Sequence, residues 1–446
     1  MAASLISRTP VRFAIVLAAA MALLFGLGRV ASRPQAPASP GRAPVAGAPQ
    51  TYAQALQAID QRLVGHRVLA EVQGGGWLLQ DRIANDALAR ARLTGSFDDY
   101  AAAQAALDRG FASAPKGAGP HLTQAVVDFS LHRLARAEAA LDAIDHYAVK
   151  AEPEIAWEAS AMRGDVGFYR GDYAAALRAY GGRQAADESA SFRMAVLQSK
   201  TGHVDEALAA IDRMERASRF PTAQGLANMA LQRGALELQR GNWDRAAAHF
   251  ARAERLFPGF WLAEAHSAQM LALTGHRAQA IARYEAIAAR SDSPEVMDAL
   301  AGLYRAQGDY PRSRAWADRA GQAWTGRLAQ FPEAAYGHAV EHELAFGDPK
   351  RALDLALKDH AARPYGMTSI ALAWAYLANN RPADALQALA PVQASPWVSA
   401  EQHVAAAQAH ALLGESGAAD AEQQKALAIN PRALDPAGAL IWFGHS

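Results

Sequence analysis

Apolar residues along this chain recur at helical spacing in short segments, and the segments come in pairs. The members of a pair are joined by one repeated phrase: a Gly or Asn turn, then Ala five residues on. It reads Gly171…Ala176, Gly202…Ala207, Gly241…Ala246, Gly275…Ala280, Gly347…Ala352, Asn380…Ala385 and Gly414…Ala419, with Gly308-Asp-Tyr310 in the same register. Successive turns lie 31, 39, 34, 33, 39, 33 and 34 residues apart. Within a pair, the first helix carries a small residue near its middle, and the second carries Ala followed four residues later by an aromatic or aliphatic side chain. The fullest copy runs Gly234…Gly241-Asn-Trp243…Ala246…Phe250…Ala253…Pro258. Small residues let two helices cross closely, and large ones fill the gaps between neighbouring pairs. Pro258 cannot continue a helix and so ends it, and Pro364 and Pro431 stand at the same place in their copies. Runs of β-branched residues are nearly absent, so the pattern predicts an all-α chain.

The order small–Gly–aromatic–Ala–aromatic–Ala–Pro on a period near 34 residues resembles the tetratricopeptide repeat family. The resemblance covers Asp81 to Pro431 and implies a right-handed superhelical solenoid of about eight to ten antiparallel helix hairpins. Copies near 171, 241, 308, 347 and 414 match well. Those at Gly95-Ser-Phe97 and around Val126–Ile144 are degenerate, and Leu134–Ala137 lacks the turn glycine. The two 39-residue spacings imply insertions of about five residues near Ser218–Thr222 and Thr325–Pro332.

A repeat of this kind defines a scaffold, not a reaction. In the family the first helix of each repeat lines the concave surface. The matching positions here are Asp165, Phe168, Tyr169, Phe192, Arg193, Asn228, Gln232, His266, Gln269, Asp298, Arg305, His338, Glu341 and Trp374. Their mixture of aromatics, amides and both charge signs suits an extended peptide or a partner helix. The Lys/Asn pattern by which some members clamp a peptide carboxylate is not reproduced, since Arg193 and Lys200 stand alone.

The flanks add a location. Arg8 and Arg12 precede an apolar run from Phe13 to Gly28, which Arg29 closes. Residues 1–31 therefore read as a signal peptide or membrane anchor, and cleavage and retention both fit. Positive residues on both sides leave the orientation open. Residues 32–50 form a Pro/Ala-rich linker, and 51–80 carry a helix, with Tyr52, Leu56, Ile59 and Leu63 at helical spacing, and a Gly74-Gly75-Gly76 hinge. Residues 432–446, including Leu440-Ile-Trp-Phe443, read as a cap for the apolar end of the solenoid. These features predict a solenoid that is periplasmic, secreted or anchored to an inner membrane, touching a membrane only through its first segment. The Ala- and Arg-rich composition points to a bacterial source.

Charge and composition narrow the chemistry. Lys plus Arg and Asp plus Glu number 44 each, with no basic stripe, which argues against nucleic acid. There is no Cys, so disulfides, thiolate zinc sites and Cys nucleophiles are absent. No Lys-Ser or Lys-Thr follows the triple glycine, no G-x-S-x-G elbow occurs, and no cofactor is implied. One enzyme-like motif exists: His338-Ala-Val-Glu341-His342 fits the H-x-x-E-H pattern of a class of zinc peptidases, in which two His at i and i+4 bind zinc and the Glu activates water. The sequence therefore predicts a non-catalytic scaffold or adaptor binding a protein or peptide. The alternative is a zinc-dependent hydrolase centred on that motif.

Overall fold

The structure, a computed structural model, describes residues 42–181, 188–219 and 221–442. The anchor-like segment 1–31 and the linker up to residue 41 lie outside the described residues, as do Phe443 and the three residues after it. Among the described residues there is no strand, and no helix is long and apolar enough to cross a membrane.

A single helix, α1 (Tyr52–Gln73), opens the fold and ends at Gly74, whose φ of 80° is left-handed. Ten antiparallel pairs follow. They are α2/α3 (Trp77–Thr94, Phe97–Ser113), α4/α5 (His121–Ser130, Leu134–Asp145) and α6/α7 (Pro153–Tyr169, Tyr173–Gly181). Next come α8/α9 (Glu188–Lys200, Val204–Ala217), α10/α11 (Ala223–Gln239, Trp243–Leu256) and α12/α13 (Trp261–Leu273, Arg277–Ala288). The last four are α14/α15 (Pro294–Ala306, Tyr310–Gln330), α16/α17 (Pro332–Phe346, Pro349–Ala362), α18/α19 (Gly366–Ala378, Pro382–Gln393) and α20/α21 (Ala400–Leu412, Ser416–Ile429). The triple glycine thus joins α1 to a helix that begins at Trp77, a few residues before the predicted start at Asp81. The extra residues predicted near Thr325 lengthen α15 to 21 residues, against 14 in α11 and α17.

The repeated turn is a Schellman motif. At α10, Gly241 N–H donates to the Leu238 carbonyl and Asn242 N–H reaches back to that of Glu237, closing the orphan carbonyls of the helix end. Only a left-handed residue permits this, and Gly171, Gly202, Gly241, Gly275, Gly308 and Gly414 all have φ between 78° and 88°. Two non-glycines hold the same place: Asn380 at 57° and His132 at 58°. His132 is the turn residue of the copy that lacks glycine, with Arg133 N–H on the Asp128 carbonyl. Gly347 departs from the rule with φ −109°, and Asp348 caps α17 by accepting from Lys350 N–H. The small residues inside first helices do what their spacing predicts: a Cβ on Gly234 would fall 2.3 Å from the Phe250 ring.

Successive turns of the superhelix touch. Tyr52 N–H donates to the Pro258 carbonyl (3.0 Å), and Trp261 Nε1 to that of Leu93 (3.3 Å). His132 Nδ1 lies 3.3 Å from the Glu333 carbonyl, Gly366 N–H donates to Tyr173 Oη (3.0 Å), and Val398 N–H to the Lys200 carbonyl (2.8 Å). Arg432 lies 4.1 Å over the Trp243 ring. Hydrogen-bonded partners across this seam are up to 232 residues apart. From the second pair to the fifth, the turn of each pair meets the connection five to six pairs later. The largest core cluster accordingly joins Ile59, Leu88 and Leu107 to Phe250, Phe260 and Leu300.

Among the described residues, the segment after α21 packs away from the last pair. A short 3-10 turn, Pro436–Leu440, packs on α12 and α14, and Leu440 joins the core of the first and middle pairs. It leaves the end of the solenoid because Arg432 docks on Trp243, one superhelical turn earlier in the chain.

Candidate functional site

Two clefts lie along the inner face of the superhelix and share Tyr169, the last residue of α6. The first, about 390 Å³, is walled by first helices: His266 from α12, Glu295 from α14, His338 and Glu341 from α16, and Met367 from α18. Residues from seam positions complete it, namely His132, Arg363, Tyr365 and Trp442. The second, about 480 Å³, lies between Asp165, Phe168 and Tyr169 on α6 and Phe192 and Arg193 on α8, with Arg92 and Phe129 opposite. Each is large enough to take side chains of a bound segment, and aromatic side chains alternate with charged ones along its walls.

The predicted groove residues divide into three kinds of place. Tyr169, His266, His338 and Glu341 line the first cavity, and Asp165, Phe168, Tyr169, Phe192 and Arg193 the second. Gln232 meets Phe192 in a smaller cleft between α8 and α10, and Asn228 is exposed. Gln269 and Asp298 are buried, Arg305 donates to the Ala345 carbonyl (2.7 Å), and Trp374 is half-buried against the core cluster that joins α6 and α7 to α18–α20.

Several of these side chains are already engaged. Arg193 forms a forked pair with Asp165 (Nε to Oδ1 3.0 Å and Oδ2 2.8 Å) and also holds Glu158, while Tyr180 Oη donates to Asp165 Oδ1 (2.7 Å). Burial pushes the Asp165 carboxyl up even against Arg193 and Tyr180. In the first cavity, Arg363 pairs with buried Asp359 (2.7 Å) and lies within 5.8 Å of the Tyr169 ring. Burial would lower His338, but Glu341 and then Glu295 outweigh it and raise the imidazole. Burial would raise Glu295, but Arg327 and then His338 hold it low. His338 is thus the pole of a small charged patch in the wall of that cleft.

The H-x-x-E-H motif is split. His338 faces the cavity, with Nδ1 3.4 Å from Glu341 Oε2 and its ring stacked on Trp324 at 5.7 Å. His342 instead turns into the helix packing, where Nδ1 lies 2.7 Å from Asp298 Oδ1, and Trp324 Nε1 donates to the other carboxylate oxygen (2.8 Å). Gly321 makes room for that imidazole, since a Cβ there would sit 3.0 Å from Nε2. The two imidazoles serve different surroundings. Among the described residues no three His, Asp or Glu side chains stand together as a metal site.

His132, Asp359, Arg363, Tyr365 and Trp442 escape a repeat-based reading. Asp359 lies in the last turn of the second helix α17 and the others at turns and connections, where the repeat predicts no inner face. Only the winding of the superhelix brings them to the cavity. Tyr365 directly after Pro364 is the one signal in the sequence: an aromatic at a connection that neither helix of its own pair explains.

No family model and no curated protein matches the sequence. Among solved structures, the chain is similar to yeast Tom70, with 12% identity over 86% of this chain and 91% of that one and a TM-score of 0.37. It is similar to the APC/C hetero-tetramer Cut9-Hcn1, with 13% identity over 87% and 94% and a TM-score of 0.33. A third likeness is to a tetratricopeptide repeat protein from Parabacteroides merdae, with 13% identity over 56% and 98% and a TM-score of 0.34. At such scores no detail transfers from them. The period, the Schellman turns and the ten stacked pairs make this chain a solenoid of tetratricopeptide type.

Proposed function

We propose that the protein is a non-catalytic scaffold or adaptor of the bacterial cell envelope that binds a protein or peptide partner along the inner face of its solenoid. The observation that carries this reading is the pair of clefts that share Tyr169, lined by aromatic and charged side chains. Aromatic anchors in pockets supply binding energy, and polar groups set register. Balanced charge speaks against nucleic acid, and the split His338/His342 motif lends the zinc-hydrolase alternative no support. The envelope location rests on the Arg-flanked apolar run at Phe13–Gly28, which would tether the solenoid beside a membrane and raise its local concentration.

A photo-crosslinking residue in place of Phe192, which is exposed in the second cavity, should capture a discrete envelope protein. The same residue in place of exposed Tyr310, which lines neither of the two cavities, should not. Equal capture at the two positions, or none at Phe192, would refute the reading.

A further inference from the structure

The segment that crosses from α21 to the inner face ends in a seat with the features of a recognition pocket. Trp442 donates its backbone N–H to Oε1 of Gln269 (2.8 Å), an α12 side chain with no solvent exposure. Its ring stacks on Phe346 at 5.6 Å with an interplanar angle of 15°. On the other side lies Gly302 of α14, where an added Cβ would stand 3.0 Å from the indole nitrogen. Phe346 is itself held by Arg305, whose guanidinium lies 4.5 Å over the ring.

A glycine floor, an aromatic wall and a buried amide that takes a main-chain N–H together read a short segment bearing a flat side chain. The main-chain hydrogen bond gives affinity, and the slot chooses the side chain. The resident segment does not satisfy the seat fully, because the Trp442 indole N–H is buried without a hydrogen-bond partner. A buried donor left unpaired weakens the complex that contains it.

We infer that the Gln269–Gly302–Phe346 seat is a subsite for a peptide that presents a tryptophan directly after a short turn ending in aliphatic residues, and that Leu440-Ile441-Trp442 occupies it in cis as a built-in competitor. The inference rests on the inner face being the binding face and names its ligand. A partner that offers an acceptor to the indole N–H displaces the resident segment.

The probe is a blocked, fluorescein-labelled peptide with the sequence of Asp435–Trp442, titrated by anisotropy into the full chain. Trp442→Ala should bind it about tenfold or more tightly than wild type, since the cis segment no longer competes at high effective concentration. Adding Gly302→Leu should abolish binding, and a peptide with Ala in place of its Trp should not bind. Equal affinity of wild type and Trp442→Ala, or binding that survives Gly302→Leu with helical content intact, overturns the inference. If Trp442→Ala does not fold, the peptide is titrated into wild type and Gly302→Ala: loss of binding in the variant supports the subsite, and unchanged binding overturns it. Peptide binding without envelope crosslinks at Phe192 would leave the subsite standing and defeat only the wider proposal.

Discussion

Gly366→Ala tests whether the seam between turns stabilises the fold. Gly366 opens α18, lies outside the left-handed region, and donates its N–H to Tyr173 Oη across the seam. In an unhindered place the substitution would stabilise by about 0.4–1 kcal/mol, chiefly by reducing the freedom of the unfolded chain. Here an added Cβ would lie 2.2 Å from Cδ2, 2.4 Å from Cε2 and 2.7 Å from Cε3 of Trp397. That indole is buried and cannot retreat, because Phe168, Tyr173 and Tyr365 surround it with ring centroids 5.8–6.2 Å away. Overpacking of this kind costs about 1–3 kcal/mol, so the net expectation is a loss of about 1–2 kcal/mol. Urea unfolding followed by tryptophan fluorescence and far-UV circular dichroism measures it, with Gly417→Ala as control, since a Cβ there meets nothing within 4 Å. The control should gain up to about 1 kcal/mol from helix propensity. Stability of Gly366→Ala equal to or above wild type would refute the claim that the turns are packed against each other.

Two further outcomes follow from the site. Arg193→Ala leaves Asp165 and Glu158 without their cation in a mostly buried place, and should cost about 3 kcal/mol in denaturant unfolding, part of which returns when Asp165→Ala is added. No recovery in the double variant would show that the pair is not coupled. His132 is held well below the usual imidazole range, first by burial and then by the charge of Arg363. Its folded pKa being depressed, its neutral form contributes stability fully above about pH 6.5, and that contribution is lost as pH falls below that value. His132→Asn tolerates the left-handed turn and cannot titrate, so its stability should fall less than that of wild type between pH 7 and pH 5. Parallel curves would exclude His132 as a source of acid sensitivity.

The repeat was legible because a helix pair is a local object. Its turn chemistry, small residues and prolines are written within 34 residues, and the structure draws them out as ten pairs. The gap at Leu134–Ala137 was filled by a residue type that tolerates positive φ, at a conformational cost of about 1–2 kcal/mol that glycine would not carry. The inner face was only half legible. Position in the first helix identifies Tyr169, Phe192 and His338 as cavity residues, but it cannot say that Asp165 is already spoken for by Arg193 or that His342 turns to Asp298. Those outcomes depend on partners 28 and 44 residues away. The seam was not legible at all, because the pairing of Lys200 with Val398 depends on the summed rotation of every intervening pair. The same is true of the last segment: its aromatic run signals burial, not which end of the solenoid it will reach.

The seam sets a counting rule for this molecule. In an open solenoid each unit contacts only its neighbours, so units are gained or lost one at a time with nearly constant effect. Here the turn at His132 must find the connection at Glu333, and the turn at Gly171 the connection at Pro364. Deleting a single pair between them would throw every later partner out of phase by one unit. The number of pairs is therefore fixed by phase, like teeth on meshed gears. The closures span far more sequence than the local pairs, so their loop-closure entropy favours forming them last, by the docking of one coil upon another.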